Sequence, residues 1–220
     1  MNDSDDAILA GPNLEPLRGR RFCLIPLAPR HLPLLYELSV IDQSSFRWRF
    51  RGRVPPMEAF VEALHSGVLC QFAIVPTSRP DDFAGLVVAY SYHPQGQYCY
   101  LAVLANPAAG AGVLEGVALF LRYLFRFWPL RKIYLEVPEF NLPQYQSAVT
   151  AGLLKQEGCL VGHDYFAGRH WDLFIYAIYR SEALRFGHRF ASLFDDDDSS
   201  GQGLEDSRPT NRATVFGDES

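Results

Sequence analysis

Apolar positions recur with two different periods along this chain, and the switches between them mark out its elements. Arg21–Leu27 predicts a first strand, and Pro26 points to an edge position because proline gives a ladder no N–H. Leu32, Leu35, Tyr36 and Leu38 fall at helical spacing and predict a helix over His31–Leu38. Phe60, Val61 and Leu64 do the same for Met57–Leu64. Three strands follow, over Val68–Val75, Leu86–Tyr92 and Gln97–Leu104, the last two joined by His93–Gly96, which has the composition of a hairpin loop. Val113, Val117, Phe120, Leu121 and Leu124 give a helix over Val113–Phe127 one broad apolar face. Arg131–Val137 is a strand stopped by Pro138, and Phe140–Gly152 is a short helix that Gly152 terminates. Cys159–Phe166 and Trp171–Tyr179 are the final strands, and Ser181–Phe194 predicts a terminal helix. This order is α+β, a mostly antiparallel sheet of about seven strands with about four flanking helices.

Charge changes the picture at the ends. The chain has 220 residues and a net charge of -5, but residues 1–17 hold four acids and no base, and 195–220 hold eight acids against Arg208 and Arg212. The remainder carries 18 bases and 13 acids, so the folded part is basic and the acidity belongs to the tails. Residues 1–17 are expected to be a mobile segment, 18–194 one domain, and 195–220 a disordered acidic tail. Cys23, Cys70, Cys99 and Cys159 are dispersed, as are the six histidines, so neither a disulfide framework nor a metal site is expected. The acidic N-terminus and the charge-broken apolar run Val113–Phe125 predict a cytoplasmic protein with no membrane partner.

Two stretches carry candidate chemistry. In Asn106–Val113, Gly110 and Gly112 leave backbone N–H groups uncovered at the start of a helix; unsatisfied donors and the helix dipole together favour an anion there. In Ser45–Arg53, arginines 47, 49, 51 and 53 alternate with Phe46, Trp48 and Phe50. That alternation could stack and neutralise single-stranded nucleic acid, but the modest basic excess of the domain does not support a nucleic-acid partner. The alternatives are a solvated loop and an acceptor-binding loop.

Taken together, four segments resemble the GNAT acyltransferase superfamily, in particular its ribosomal-protein N-acetyltransferase branch. They are Arg21–Leu27 with its following helix, the Gly-Ala-Gly turn before Leu121–Phe125, Leu130–Val137 leading to Asn141, and Phe166–Asp172 with Tyr176–Glu182. The resemblance implies the GNAT fold and an acetyl-CoA-dependent N-acyltransferase, acting by direct attack of a primary amine from a protein N-terminus or small molecule. It implies that pantetheine lies against the backbone of Leu101, Ala102, Val103 and Leu104, with a backbone N–H near Val103 polarising the thioester carbonyl. The pyrophosphate would rest on Ala109, Gly110, Ala111, Gly112 and Val113, and Asn141 would contact the CoA arm. Where many members place a general-acid tyrosine this chain has Ala148, leaving Ser147 and Tyr145 as candidate acids, with Glu139 as candidate base and Glu136 beside it. Val113 or Leu114, in place of the family's small residue, would add bulk next to the pyrophosphate. Arg47, Arg49 and Arg51 would line the acceptor side and favour an acidic acceptor. Tyr98 and Tyr100 read as packing in the strand wall, and His163, Asp164, His170 and Asp172 as structural. A GNAT domain that binds CoA or a protein partner without turnover is the alternative, and a homodimer stays open.

Overall fold

The computed structural model describes residues 17–41 and 50–183. Its strands are β1 (Leu17–Arg18), β2 (Phe22–Ile25), β3 (Val68–Pro76), β4 (Gly85–His93), β5 (Tyr98–Ala105), β6 (Lys132–Pro138), β7 (Lys155–Phe166) and β8 (Arg169–Tyr179). They form one sheet in the order β1-β2-β3-β4-β5-β6-β8-β7. The helices are α1 (Leu32–Tyr36), continued by a π turn over Glu37–Ile41, then α2 (Met57–His65), α3 (Val113–Phe127) and α4 (Leu142–Thr150). All strand pairs are antiparallel except β5 with β6, which the α3 crossover makes parallel.

The sheet has eight strands where seven were expected, because β1 adds a two-residue edge against Leu24 and Cys23. Pro26 lies beyond the end of β2, so it ends that strand rather than marking it as an edge. β7 starts at Lys155, four residues before the expected Cys159. Lys155, Gln156 and Glu157 read as loop because an edge strand open to solvent needs no apolar alternation. The expected terminal helix begins as helical residues at 180–183, and its remainder, like residues 195–220, lies outside the described residues.

Each sheet face has its own core. Cys99, Leu101, Ile133, Leu135 and Val137 pack with Leu119, Phe120 and Leu124 of α3 on one face. On the other, Leu86, Val88 and Leu104 pack with Leu35 of α1 and with Phe60 and Leu64 of α2. α3 is fixed to the far end of the sheet by Glu115, which is 1% exposed. Its Oε1 accepts the backbone N–H of Arg21 at 2.9 Å and of Phe22 at 3.3 Å, so the first turn of α3 is held against β2. α4 ends as its sequence predicts: Gly152 takes φ 78, and Leu153 N–H and Gly152 N–H return to the carbonyls of Ala148 and Val149 at 3.0 and 2.9 Å.

Candidate active site

The parallel pair β5 and β6 is joined at only three positions, Tyr98 with Lys132, Cys99 with Ile133 and Tyr100 with Tyr134. Beyond them β6 continues to Pro138 on β8, and β5 continues to Ala105 on β4. The two strands therefore part in the middle of the sheet. Leu101, Ala102, Val103 and Leu104 keep their β4 partners and have no ladder partner on the β6 side. Backbone N–H and C=O groups need partners, so this interior edge is built to take an extended, amide-bearing ligand.

At the far end of β5 the chain enters a tight turn over Pro107–Gly112. Asn106 organises it: its Nδ2 donates to Phe83 O at 2.8 Å, its Oδ1 accepts Ala108 N–H at 3.0 Å, and its carbonyl accepts Ala109 N–H at 2.9 Å. Gly110 adopts φ 60, ψ -143, a conformation that side-chain-bearing residues rarely take. A Cβ built at Gly110 meets nothing within 4 Å, so open space lies over the turn. The amides that open α3 follow at once, where a helix has donors to spare. Of the two residues expected to add bulk, Val113 is buried in the α3-side core, whereas Leu114 is 65% exposed.

Asn141 sits in the 3-10 turn Glu139–Asn141 that leads from β6 into α4. It is 6% exposed, and its Oδ1 has no hydrogen-bond partner. An unmet buried acceptor costs stability, and a ligand amide at this end of the fork would satisfy it. The interior edge, the open turn and this orphaned oxygen fit the parts of acetyl-CoA: pantetheine amides for Leu101–Leu104, a pyrophosphate for Ala109–Val113, and the arm for Asn141.

The candidate acids separate by face. Tyr145, with Leu142, Ala148 and Val149, is half-buried against the α3-side core. Ser147 is exposed on the outer side of α4. Glu139 and Glu136 are both exposed. Glu139 acts on Cys159 of β7, whereas Glu136 is among the charges that act on Tyr100, after burial the next cause raising that phenol. No cysteine offers an activated thiolate: burial pushes Cys70 and Cys99 up to about 12, and it raises Cys23 and Cys159 as well, the latter with help from Asp172.

Behind the fork lies a group that sequence reasoning missed. Glu157 accepts from Lys132 Nζ at 2.5 Å, from Tyr134 OH at 2.8 Å and from Tyr179 OH. Burial alone would raise this carboxyl, but those three donors outweigh it and hold it down to about 2. Lys132 is thus the partner of Glu157. Glu157 is reached through a β7 bulge between Gln156 and Gly158, which no sequence period announces.

The arginine loop is only partly described, since Arg47 and Arg49 lie outside the described residues. Arg51 is placed, and its Nη1 lies 2.5 Å from Asp164 Oδ1 on the β7–β8 hairpin. Arg51 thus already holds one carboxylate through Nη1, and an acidic acceptor would share the guanidinium with Asp164. Asp172, read as structural, accepts Gly162 N–H at 2.7 Å inside the same hairpin.

No protein-family model matches the chain, and no curated protein matches it in sequence. Solved structures match its architecture. The spermidine N-acetyltransferase of Vibrio cholerae in complex with CoA and spermine superposes with a TM-score of 0.63 at 20% identity, covering 74% of this chain and 98% of that one. The manganese complex of spermidine/spermine N-acetyltransferase SpeG from the same organism gives 0.61 at 19%, covering 76% and 96%. A probable acetyltransferase of the GNAT family from Chromobacterium violaceum gives 0.61 at 21%, covering 76% and 87%. With the parted parallel pair and the turn at its mouth, these matches establish that the chain has the fold of the GNAT acetyltransferases.

Proposed function

We propose that this chain is an acetyl-CoA-dependent N-acetyltransferase whose acceptor is a small-molecule primary amine. The observation that carries this reading is the fork itself: an interior strand edge at Leu101–Leu104, with the Gly110 turn and the orphaned Asn141 Oδ1 at its open end. The structures most similar in fold include an N-acetyltransferase holding CoA and a small amine, which supports the same assignment.

Acetyl-CoA supplies the activated acyl group, and the residues of this chain position it and move protons. The amine nitrogen forms its bond to the acyl carbon as the carbon–sulfur bond breaks. A backbone N–H at Val103 on the unpaired edge favours the charge that develops on the carbonyl oxygen. Glu136, exposed on the face of β6 opposite α3, takes the amine proton through water. Tyr145, on the inner face of α4 one turn before Ala148, gives the leaving sulfur its proton. The absence of an activated cysteine among the four in this chain favours direct transfer over an acyl-enzyme. Incubating the full chain with acetyl-CoA and a panel of primary amines, while following thiol release, tests the reading. Acceptor-dependent thiol release is expected; tight acetyl-CoA binding with no release on any amine would contradict it.

A further inference from the structure

Whatever fixes the first turn of α3 also fixes the amides that close the Gly110 turn, because α3 begins at Val113, directly after Gly112. The turn has little of its own to do this with. Its residues, Pro107, Ala108, Ala109, Gly110, Ala111 and Gly112, carry no hydrogen-bonding side chain, and Asn106 braces it from the β5 side. On the α3 side the brace is Glu115. A first-turn acid ordinarily turns back to the amides of its own helix end. Glu115 gives its Oε1 to another element instead: to Arg21 N–H at 2.9 Å and Phe22 N–H at 3.3 Å, 94 and 93 residues away in sequence. Its Oε2 lies 3.5 Å from Arg21 Nε. A carboxyl 1% exposed is tolerated only with such donors. Committed to them, it leaves the opening amides of α3 to another acceptor.

Close packing makes this brace stiff. A Cβ at Gly116 would lie 2.6 Å from Ile74 Cγ2 on β3, so α3 already sits on the sheet at backbone distance there. A Cβ at Gly19, beside β1, would lie 2.3 Å from Glu115 Oε1, so the segment between β1 and β2 is closed over the carboxyl. Pinned on β3 at Gly116 and on β2 at Glu115, the start of α3 has little room to slide or rotate. Anion recognition by amides demands that: a shift of about 1 Å takes a bond of about 2.9 Å past about 3.5 Å, where it is lost.

We propose that Glu115 is a positioning residue for acetyl-CoA: by tying the first turn of α3 to β2, it holds the amides at residues 110–113 where one pyrophosphate can take them together. The inference rests on the acetyltransferase reading and adds to it a residue outside the fork. Glu115 acts through those amides and not by touching the ligand, since a carboxylate and a pyrophosphate repel one another, and the Arg21 guanidinium offsets its charge. Its loss is therefore felt at the pyrophosphate and not at the thioester or the amine.

The test compares acetyl-CoA with S-acetylpantetheine, which carries the thioester and the pantetheine amides without the pyrophosphate. The full chain is used, by calorimetry and by kinetics on the panel amine that turns over fastest, well below the melting temperature of each variant. Glu115→Ala should raise the Kd and KM for acetyl-CoA about tenfold. Its kcat and amine KM should stay within about twofold, and its kcat/KM for S-acetylpantetheine should not change. Glu115→Gln keeps the Oε1 acceptor and should restore acetyl-CoA affinity. Gly19→Ala should reproduce the loss from outside the site, because its Cβ takes the place of Oε1, and combining it with Glu115→Ala should add nothing further. Unchanged acetyl-CoA affinity in Glu115→Ala, an equal loss with both donors, or a Gln variant as impaired as Ala overturns the proposal. Should Glu115→Ala fail to fold, Gly19→Ala carries the same comparison between the two donors. A parent chain that binds no acetyl-CoA sinks the acetyltransferase reading and the positioning role with it, whereas normal parent binding with indifferent variants sinks the positioning role alone.

Discussion

The two sides of the fork are made of different material. Toward the Gly110 turn, the site is backbone: the unpaired edge of Leu101–Leu104, the amides leading into α3, and one buried amide side chain, Asn141. Toward the face of β5 and β6 turned from α3, it is side chain: Tyr98, Tyr100, Tyr134, Glu136, and the Lys132–Glu157–Tyr179 group that sets their positions. A ligand that never changes can be held by main chain, which tolerates sequence drift. A ligand that distinguishes one protein from another must be read by side chains. Substitutions should therefore split into those that move acetyl-CoA affinity and those that move acceptor use.

The largest effect falls where the two sides meet. Tyr145→Phe should lower kcat by about 100-fold, the usual scale for losing a positioned proton donor, with acetyl-CoA affinity unchanged in a direct titration. Gly110→Val belongs wholly to the donor side. Nothing crowds the new side chain, so backbone strain of about 1–3 kcal/mol must be met at φ 60. Acetyl-CoA binding should weaken by roughly 30-fold by calorimetry while acceptor KM stays put. Asn141→Ala should cost about tenfold in acetyl-CoA affinity. Because it removes an unmet buried acceptor, the melting temperature of the free protein should not fall, and a large fall would show that Asn141 is structural.

The acceptor side carries a pH signature. Glu157 has a folded pKa of about 2 against an ordinary 4.5. Its contribution to stability is therefore complete above about 4.5 and is lost as pH falls toward 2. Thermal melts of Glu157→Gln should show a flatter dependence than the parent through that window and a lower melting temperature above it. The smallest effects are expected at Ser147 and Glu139, both exposed. Ser147→Ala and Glu139→Gln should keep turnover within about twofold, and a loss near that of Tyr145→Phe would reverse the assignment of the acid or the base.

Legibility in the sequence followed the same division. The strand and helix order could be read from periodicity, and the Gly110 turn and Asn141 from their places after β5 and β6. The parting of β5 from β6 could not, because apolar strands that pair for three residues and for seven look alike in one dimension. Neither could the Glu157 group: Glu157 sits in polar Lys155–Glu157, and its partners lie 25 and 22 residues away at Lys132 and Tyr179. Arg51 looked free for a ligand because its partner Asp164 is 113 residues distant. The tyrosines of β5 and β6 did leave a trace, the alternation Tyr98, Cys99, Tyr100 with Tyr134 following Ile133. A half-buried aromatic is ordinarily packing, and these rings do pack, on one another and on Tyr90 and His93.

Amide hydrogen exchange tests the central claim most directly, because the claim concerns backbone. With saturating acetyl-CoA, exchange should slow at residues 101–105 and at 110–113, as ligand amides and phosphate take the place of a missing strand and of missing acceptors. The rest of β4 and β8 should change little. Unaltered exchange at residues 101–105 under saturation, whatever happens elsewhere, would contradict the account.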